Sequence, residues 1–194
     1  MAHKSGFVNI IGNPNVGKST LMNSFVGEKL SIITSKSQTT RHRIMGIVNG
    51  EDFQIIYSDT PGIIKPSYKM QDSMVGFVKE ALTDADVILY VTDTYETIDK
   101  NEEYLEKLSK IDIPVFLIVN KIDLATKEKI AEIETVWKEK LPKARIFYCS
   151  ALMGTNVSNI FDEIMAVLPE FPPYFPKDQL TDKSERFFVS EIVR

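Results

Sequence analysis

Lys18 and Ser19 close a run of residues suited to gripping phosphate. The run Gly12-Asn13-Pro14-Asn15-Val16-Gly17-Lys18-Ser19-Thr20 follows the apolar stretch Phe7-Val8-Asn9-Ile10-Ile11 and precedes helix-prone Leu21-Met22-Asn23-Ser24-Phe25-Val26. A glycine-rich turn between a buried strand and a helix, closed by Gly-Lys-Ser, is the phosphate-binding P-loop. Gly12 and Gly17 let the backbone curl without Cβ clashes, so that amide N–H groups converge on phosphate oxygens at the positive end of the following helix. In such a loop Lys18 brings a point charge to the β- and γ-phosphates, and the Ser19 hydroxyl ligates the Mg2+ that bridges them.

Further candidates stand downstream at the ends of apolar runs. In Ser58-Asp59-Thr60-Pro61-Gly62, the Asp59 carboxylate suits a direct or outer-sphere Mg2+ contact, and Gly62 offers the γ-phosphate a backbone N–H with no side chain in the way. The segment from Glu28 to Arg43 is rich in Ser, Thr, Lys and Arg and lacks apolar periodicity, which reads as a long mobile loop. Thr40 is the threonine expected to complete the Mg2+ shell when a γ-phosphate is present. The tetrad Asn120-Lys121-Ile122-Asp123 points to guanine. Asp123 can accept from the N1–H and exocyclic amine of guanine, a donor pair adenine lacks. Asn120 steadies the loop and the opposite purine edge, while the Lys121 stem lies along the ring face. Ser150-Ala151 is expected to present backbone N–H groups where the guanine O6 arrives.

These residues need a frame. Residues 44–48 and 53–57 flank Asn49-Gly50, a strong hairpin signal, and predict one antiparallel pair. Residues 87–93 and 114–119 are continuous apolar runs, the signature of buried parallel strands, and 145–149 forms the last strand. Helices are predicted over Ile98 to Lys110, with Leu105 and Leu108 inward, and over Lys127 to Leu141, with Ile130, Ile133, Val136, Trp137 and Leu141 inward. A closing helix carries Val157, Ile160, Phe161, Ile164 and Leu168. From Ile63 to Gly76 no period is visible, and a second mobile segment is expected there, followed by a helical face through Val75, Val78, Ala81 and Leu82. The segments are thus 1–168 as the nucleotide-binding domain, 169–180 as an extended Pro-rich linker, and 181–194 as the start of another element, so that the chain reads as truncated.

Composition narrows the options. A net charge of −4, with 43% hydrophobic and 26% charged residues, fits a globular protein and offers no broad basic face, so any RNA contact must be local or made elsewhere. The single cysteine, Cys149, excludes an internal disulfide, fits a reducing compartment and reads as a small buried hydrophobe. No apolar run approaches the roughly 20 residues that cross a bilayer.

Taken in order, Gly12 to Ser19, Thr40, Asp59 to Gly62, Asn120 to Asp123 and Ser150-Ala151 resemble the translation-factor-related GTPases. Gln38-Thr39-Thr40-Arg41-His42-Arg43-Ile44, Asp59-Thr60-Pro61-Gly62-Ile63 and the tail Phe175-Pro176…Thr181-Asp182-Lys183-Ser184-Glu185-Arg186-Phe187 are similar to the Era family of ribosome-assembly GTPases. The resemblance implies an α/β P-loop NTPase fold of the Ras-like type, with a six-stranded, mostly parallel sheet, one antiparallel strand and helices on both faces. It implies GTP hydrolysis with GTP/GDP and Mg2+ as ligands, a switch role in small-subunit biogenesis, and a C-terminal KH domain that binds small-subunit ribosomal RNA. No Gly-x-x-Gly occurs in this sequence, so the clamping part of that domain lies outside it. A monomer in the cytoplasm is implied, with peripheral association at the inner face of the cell membrane as the alternative. Ile63 stands where Ras-like proteins place a water-orienting glutamine. In related GTPases an asparagine at the position of Asn15 helps to ligate K+, and K+ is expected here on that ground, with Arg41 as a finger in cis the alternative.

Overall fold

The computed structural model describes residues 2–30, 42–63, 80–95, 102–184 and 186–189. Six strands form one sheet: β1 (Lys4–Gly12), β2 (Ile44–Asn49), β3 (Phe53–Asp59), β4 (Val87–Asp93), β5 (Val115–Asn120) and β6 (Arg145–Tyr148). Their order is β2-β3-β1-β4-β5-β6. Only the β2–β3 hairpin is antiparallel, and β1 lies between β3 and β4 in parallel register. This bears out the six-stranded α/β expectation. The central position of β1 brings its C-terminal end, and the loop after it, between the ends of β3 and β4.

Strand alternation divides the core into two layers. Val8, Ile10, Leu89, Val91, Phe116 and Ile118 face α1 (Lys18–Val26) and α4 (Val157–Val167) through Leu21, Met22, Phe25, Ile160 and Ile164. Ile11, Ile88, Tyr90, Leu117 and Val119 face α2 (Glu102–Lys110) and α3 (Lys127–Lys140) through Leu105, Leu108, Trp137 and Leu141. Helices therefore cover both faces. Trp137 is core, 5.7 Å from the Tyr90 ring, whereas Val136 is 39% exposed. Val136 lies one residue, about 100°, from the inward 133-137-141 stripe, in which Ile133 is half-buried and Trp137 and Leu141 are buried; that turns it outward and corrects the sequence expectation. The described part of the preceding helix begins at Glu102, and Ile98 lies outside the described residues, as do Val75 and Val78; Ala81 is buried.

Residues 169–182 lie along the domain rather than apart from it. Gln54 receives Tyr174 N–H and Phe175 N–H on its Oε1, and Ile47 N–H donates to Leu180 O at 2.8 Å. Thr181 bridges Gly46, and its hydroxyl donates to Met45 O at 2.6 Å. The outer edge of β2, otherwise an unpaired ladder, is thereby covered.

Arg43, read from the sequence as the end of a mobile loop, is buried. Its guanidinium donates to Ser58 Oγ, to Asn9 Oδ1 at 3.1 Å and to both Asp84 oxygens at 2.6 and 3.0 Å. Asn9 in turn donates to Ala81 O at 2.7 Å. Arg43→Ala would leave Asn9 and Ser58 with buried unpaired oxygens while Asp84, half exposed, rehydrates, a loss of about 2–4 kcal/mol. Thermal unfolding without nucleotide should show a fall of roughly 5–15 °C.

Candidate functional site

The loop after β1 is shaped by its glycines. Gly12 has φ 147°, and a Cβ there would lie 2.1 Å from the Val91 carbonyl oxygen; Gly17 has φ 98°, and a Cβ would lie 2.2 Å from Asn120 Nδ2. Gly17 N-caps α1 and has no side chain to cap it with, so the helix N-terminus opens onto the loop. Such an end, with its partial positive charge, receives phosphate oxygens. Lys18 is buried and its Nζ donates to Asn13 O at 2.7 Å. Its charge is thus held over the loop rather than in solvent.

At the end of β3 the chain returns to this loop. Ser19 Oγ donates to Asp59 Oδ2 at 2.7 Å, and Asp59 is fully buried. A hydroxyl beside a carboxylate is an all-oxygen donor set. It fits Mg2+, which takes one or two protein oxygens and completes its shell with water and phosphate. Gly62 is packed so closely on Pro14 that a Cβ would lie 2.6 Å from Pro14 N, and Ile63 N–H donates to Gly12 O at 3.0 Å. The Ile63 side chain is buried in the core. Thr60 is also buried, with its hydroxyl donating to Ile10 O at 2.8 Å, so its side chain fastens the segment to β1. Thr40 and Arg41 lie outside the described residues.

The base-reading end is assembled by β4, β5 and the loop after β6. Asn120, at the end of β5, is 3% exposed; its Nδ2 donates to Val16 O at 2.9 Å and its Oδ1 receives Ala151 N–H at 2.9 Å. Ser150 N–H donates to Thr155 O at 3.2 Å. The two N–H groups expected to meet O6 therefore also hold their own loop and Asn120 in place. Thr20 is half-buried in α1, while Val16 is buried and gives its carbonyl to Asn120. Lys121, at φ 63°, bridges Asn15 O at 2.7 Å and Asp93 Oδ2 at 2.6 Å, which lays its stem across the crevice. Asp123 is exposed, and among the described residues its carboxylate takes no hydrogen bond or ion pair. Cys149 is fully buried behind Asn120, and burial pushes its thiol up to about 12, which makes it inert packing.

Sequence reasoning passed over Asp93, Tyr95 and Arg43. An aspartate closing an apolar strand was the one available signal for Asp93. Its partner could not be read without knowing that β4 and β5 are neighbours.

Comparison with known proteins follows the same residues. A family model described as 50S ribosome-binding GTPase matches residues 7–121. The chain is 46% identical to the GTPase Era of Alkaliphilus metalliredigens over 100% of its length and 66% of that protein's. It is 44% identical to the Era of Staphylococcus haemolyticus over 99% of its length and 64% of that protein's. Among solved structures, Era in complex with MgGDPNP and nucleotides 1506–1542 of 16S ribosomal RNA superposes with a TM-score of 0.92 at 39% identity, covering 98% of this chain and 66% of the other. An Aquifex aeolicus Era variant bound to GDP·AlF4− gives 0.91 at 39% identity, over 98% of this chain and 65% of that one. The chain thus spans just under two thirds of the relatives it matches.

Proposed function

Because the chain belongs to the Era family of GTPases, we propose that it binds GTP with Mg2+ and hydrolyses it as a switch in small-subunit assembly. The observation carrying this reading is the placement of charge at two ends of one crevice. Lys18 and the Ser19–Asp59 pair stand at one end, and the exposed Asp123 carboxylate, unpaired among the described residues, stands at the other. At the carboxyl edge of an open α/β sheet, that arrangement suits a phosphate-bearing guanine nucleotide.

Lys18 and the α1 N-terminus hold the phosphate charge, and Ser19 with Asp59 hold the divalent cation, which neutralises charge developing on the β- and γ-oxygens. Ile63 cannot orient water, since its side chain is hydrocarbon and turned into the core. The remaining charge at the transition state we assign to K+ held by Asn15. The Asn15 side-chain amide oxygen would hold the ion, while its backbone carbonyl receives Lys121 Nζ. Contact with 16S ribosomal RNA, seen in a relative of greater length, is assigned to the full-length protein through a C-terminal KH domain, acting as a monomer in the cytoplasm. None of the described helices is long and apolar enough to cross a membrane.

Single-turnover phosphate release in K+ and in Na+ at equal ionic strength tests the reading. Expected is release faster in K+ by at least about tenfold, abolished as a difference in Asn15→Ala. Equal rates, unchanged by Asn15→Ala, would remove the K+ assignment. No release above background in either salt, even when the full-length protein is supplied with RNA, would make the domain a GTP-dependent binding module instead.

A further inference from the structure

We propose that Asp93 is a positioning residue for nucleotide binding, which holds the guanine-reading loop onto the tip of the phosphate-binding loop by acting through Lys121. The inference rests on the functional reading above and deepens it.

Asp93 ends β4 beside Asn120 in the β4–β5 register and is 9% exposed. Both its carboxylate oxygens are engaged: Oδ2 receives Lys121 Nζ at 2.6 Å, and Oδ1 receives Tyr95 N–H at 3.0 Å. The same Lys121 ammonium donates to Asn15 O at 2.7 Å. The end of β4, the base-reading loop and the phosphate-binding loop therefore meet at one charged nitrogen. Asn15 and Lys121 both have left-handed backbone, with φ 65° and 63°, so each depends on its surroundings to stay there.

A second arm runs through Tyr95, whose hydroxyl donates to Leu124 O at 3.2 Å. Asp123 sits between Lys121 and Leu124 and takes no bond of its own among the described residues. The turn that carries it is tied to the sheet by Ile122 N–H on Cys149 O at 3.2 Å and is held at its two ends through Lys121 and Leu124, and both of those end contacts trace back to the Asp93 carboxylate. A lysine ammonium facing a single carbonyl, on four flexible torsions, would trade that contact for water. The buried countercharge keeps Lys121 over the crevice, where its stem can cover the purine face. Asn120 makes a parallel tie to Val16 O, but a neutral one that does not reach Asp123.

The test is GDP and IDP binding by the parent, Asp93→Ala, Asp93→Asn, Lys121→Ala and the Asp93→Ala/Lys121→Ala double variant. IDP lacks the exocyclic amine, so the GDP:IDP affinity ratio reports how well Asp123 is held. Asp93→Ala is expected to weaken GDP binding by about ten- to a hundredfold, mainly through faster dissociation, and to shrink the ratio. Asp93→Asn should recover part of both, since a carboxamide oxygen still accepts one bond. The double variant should bind no more weakly than Lys121→Ala, the non-additivity expected of one acting through the other. Additive losses, or a ratio unchanged while only the melting temperature falls, would overturn the proposal. If Asp93→Ala melts below the assay temperature, Asp93→Asn carries the test, and parent-like affinity and ratio there overturn it. Loss of binding in Lys121→Ala without loss in Asp93→Ala sinks this inference alone. GDP binding indifferent to both Lys121→Ala and Asp123→Asn sinks the guanine reading beneath it.

Discussion

Asp123→Asn is expected to turn the preference of the site from guanine to xanthine nucleotides. The carboxylate offers two acceptor oxygens to the N1–H and 2-amino donors of guanine. In the carboxamide one of these becomes an NH2, which meets the guanine amine donor to donor but matches the 2-oxo group of xanthine. Two charge-assisted bonds at about 1.5–3 kcal/mol each put the loss of GDP affinity at roughly 10²- to 10⁴-fold. XDP should gain by a comparable factor, because a site built around a donor pair discriminates by what it leaves unpaired. Asp123 is exposed and holds nothing else among the described residues, so the melting temperature without nucleotide should stay within the scatter of a surface substitution. Competition of GDP and XDP for the variant decides the matter. A variant that still prefers GDP would show that Asp123 does not read the base.

The residues proposed to carry this chemistry could be picked out because each depends on local sequence. Gly12 to Thr20 form a loop between a strand and the helix it opens, and the constraint is on backbone shape within nine residues. Asp59, Asn120 and Asp123 could be placed because each follows an apolar run, and in a parallel sheet all such ends lie on one edge. The six strands and their single antiparallel pair followed from run lengths and one Asn-Gly turn. What stayed hidden depends on which strands are neighbours. The Arg43–Asp84 and Asp93–Lys121 pairs span 41 and 28 residues, and neither has a sequence period. The Thr60 hydroxyl holds its segment to β1, and nothing in Asp-Thr-Pro-Gly says which way a threonine turns. The intramolecular acceptors of the Ser150 and Ala151 N–H groups, Thr155 and Asn120, stayed out of view because they are brought there by a turn and by the β5–β6 pairing.

Lys18→Ala should remove nearly all of the stabilisation that nucleotide confers while leaving the fold in place. Lys18 is 6% exposed and bonded to the Asn13 carbonyl, so its ammonium is already desolvated and oriented before any ligand arrives. Attraction to a polyphosphate in that setting is not screened as it is at a surface, and little ordering is required on binding. For the parent, GTP with Mg2+ at about a thousand times its dissociation constant adds about 4 kcal/mol of stability. A loss of at least about a thousandfold in affinity leaves under about 0.5 kcal/mol at the same concentration. The readout is the nucleotide-dependent rise in melting temperature, roughly 8–16 °C for the parent and no more than about 2 °C for the variant. Without nucleotide the two proteins should melt close together, since the variant loses the hydrogen bonding of the ammonium, that to Asn13 O included, and also a buried charge, contributions of opposite sign. A Lys18→Ala protein that melts with the parent's full nucleotide-dependent rise would show that the phosphates bind somewhere other than the loop between β1 and α1.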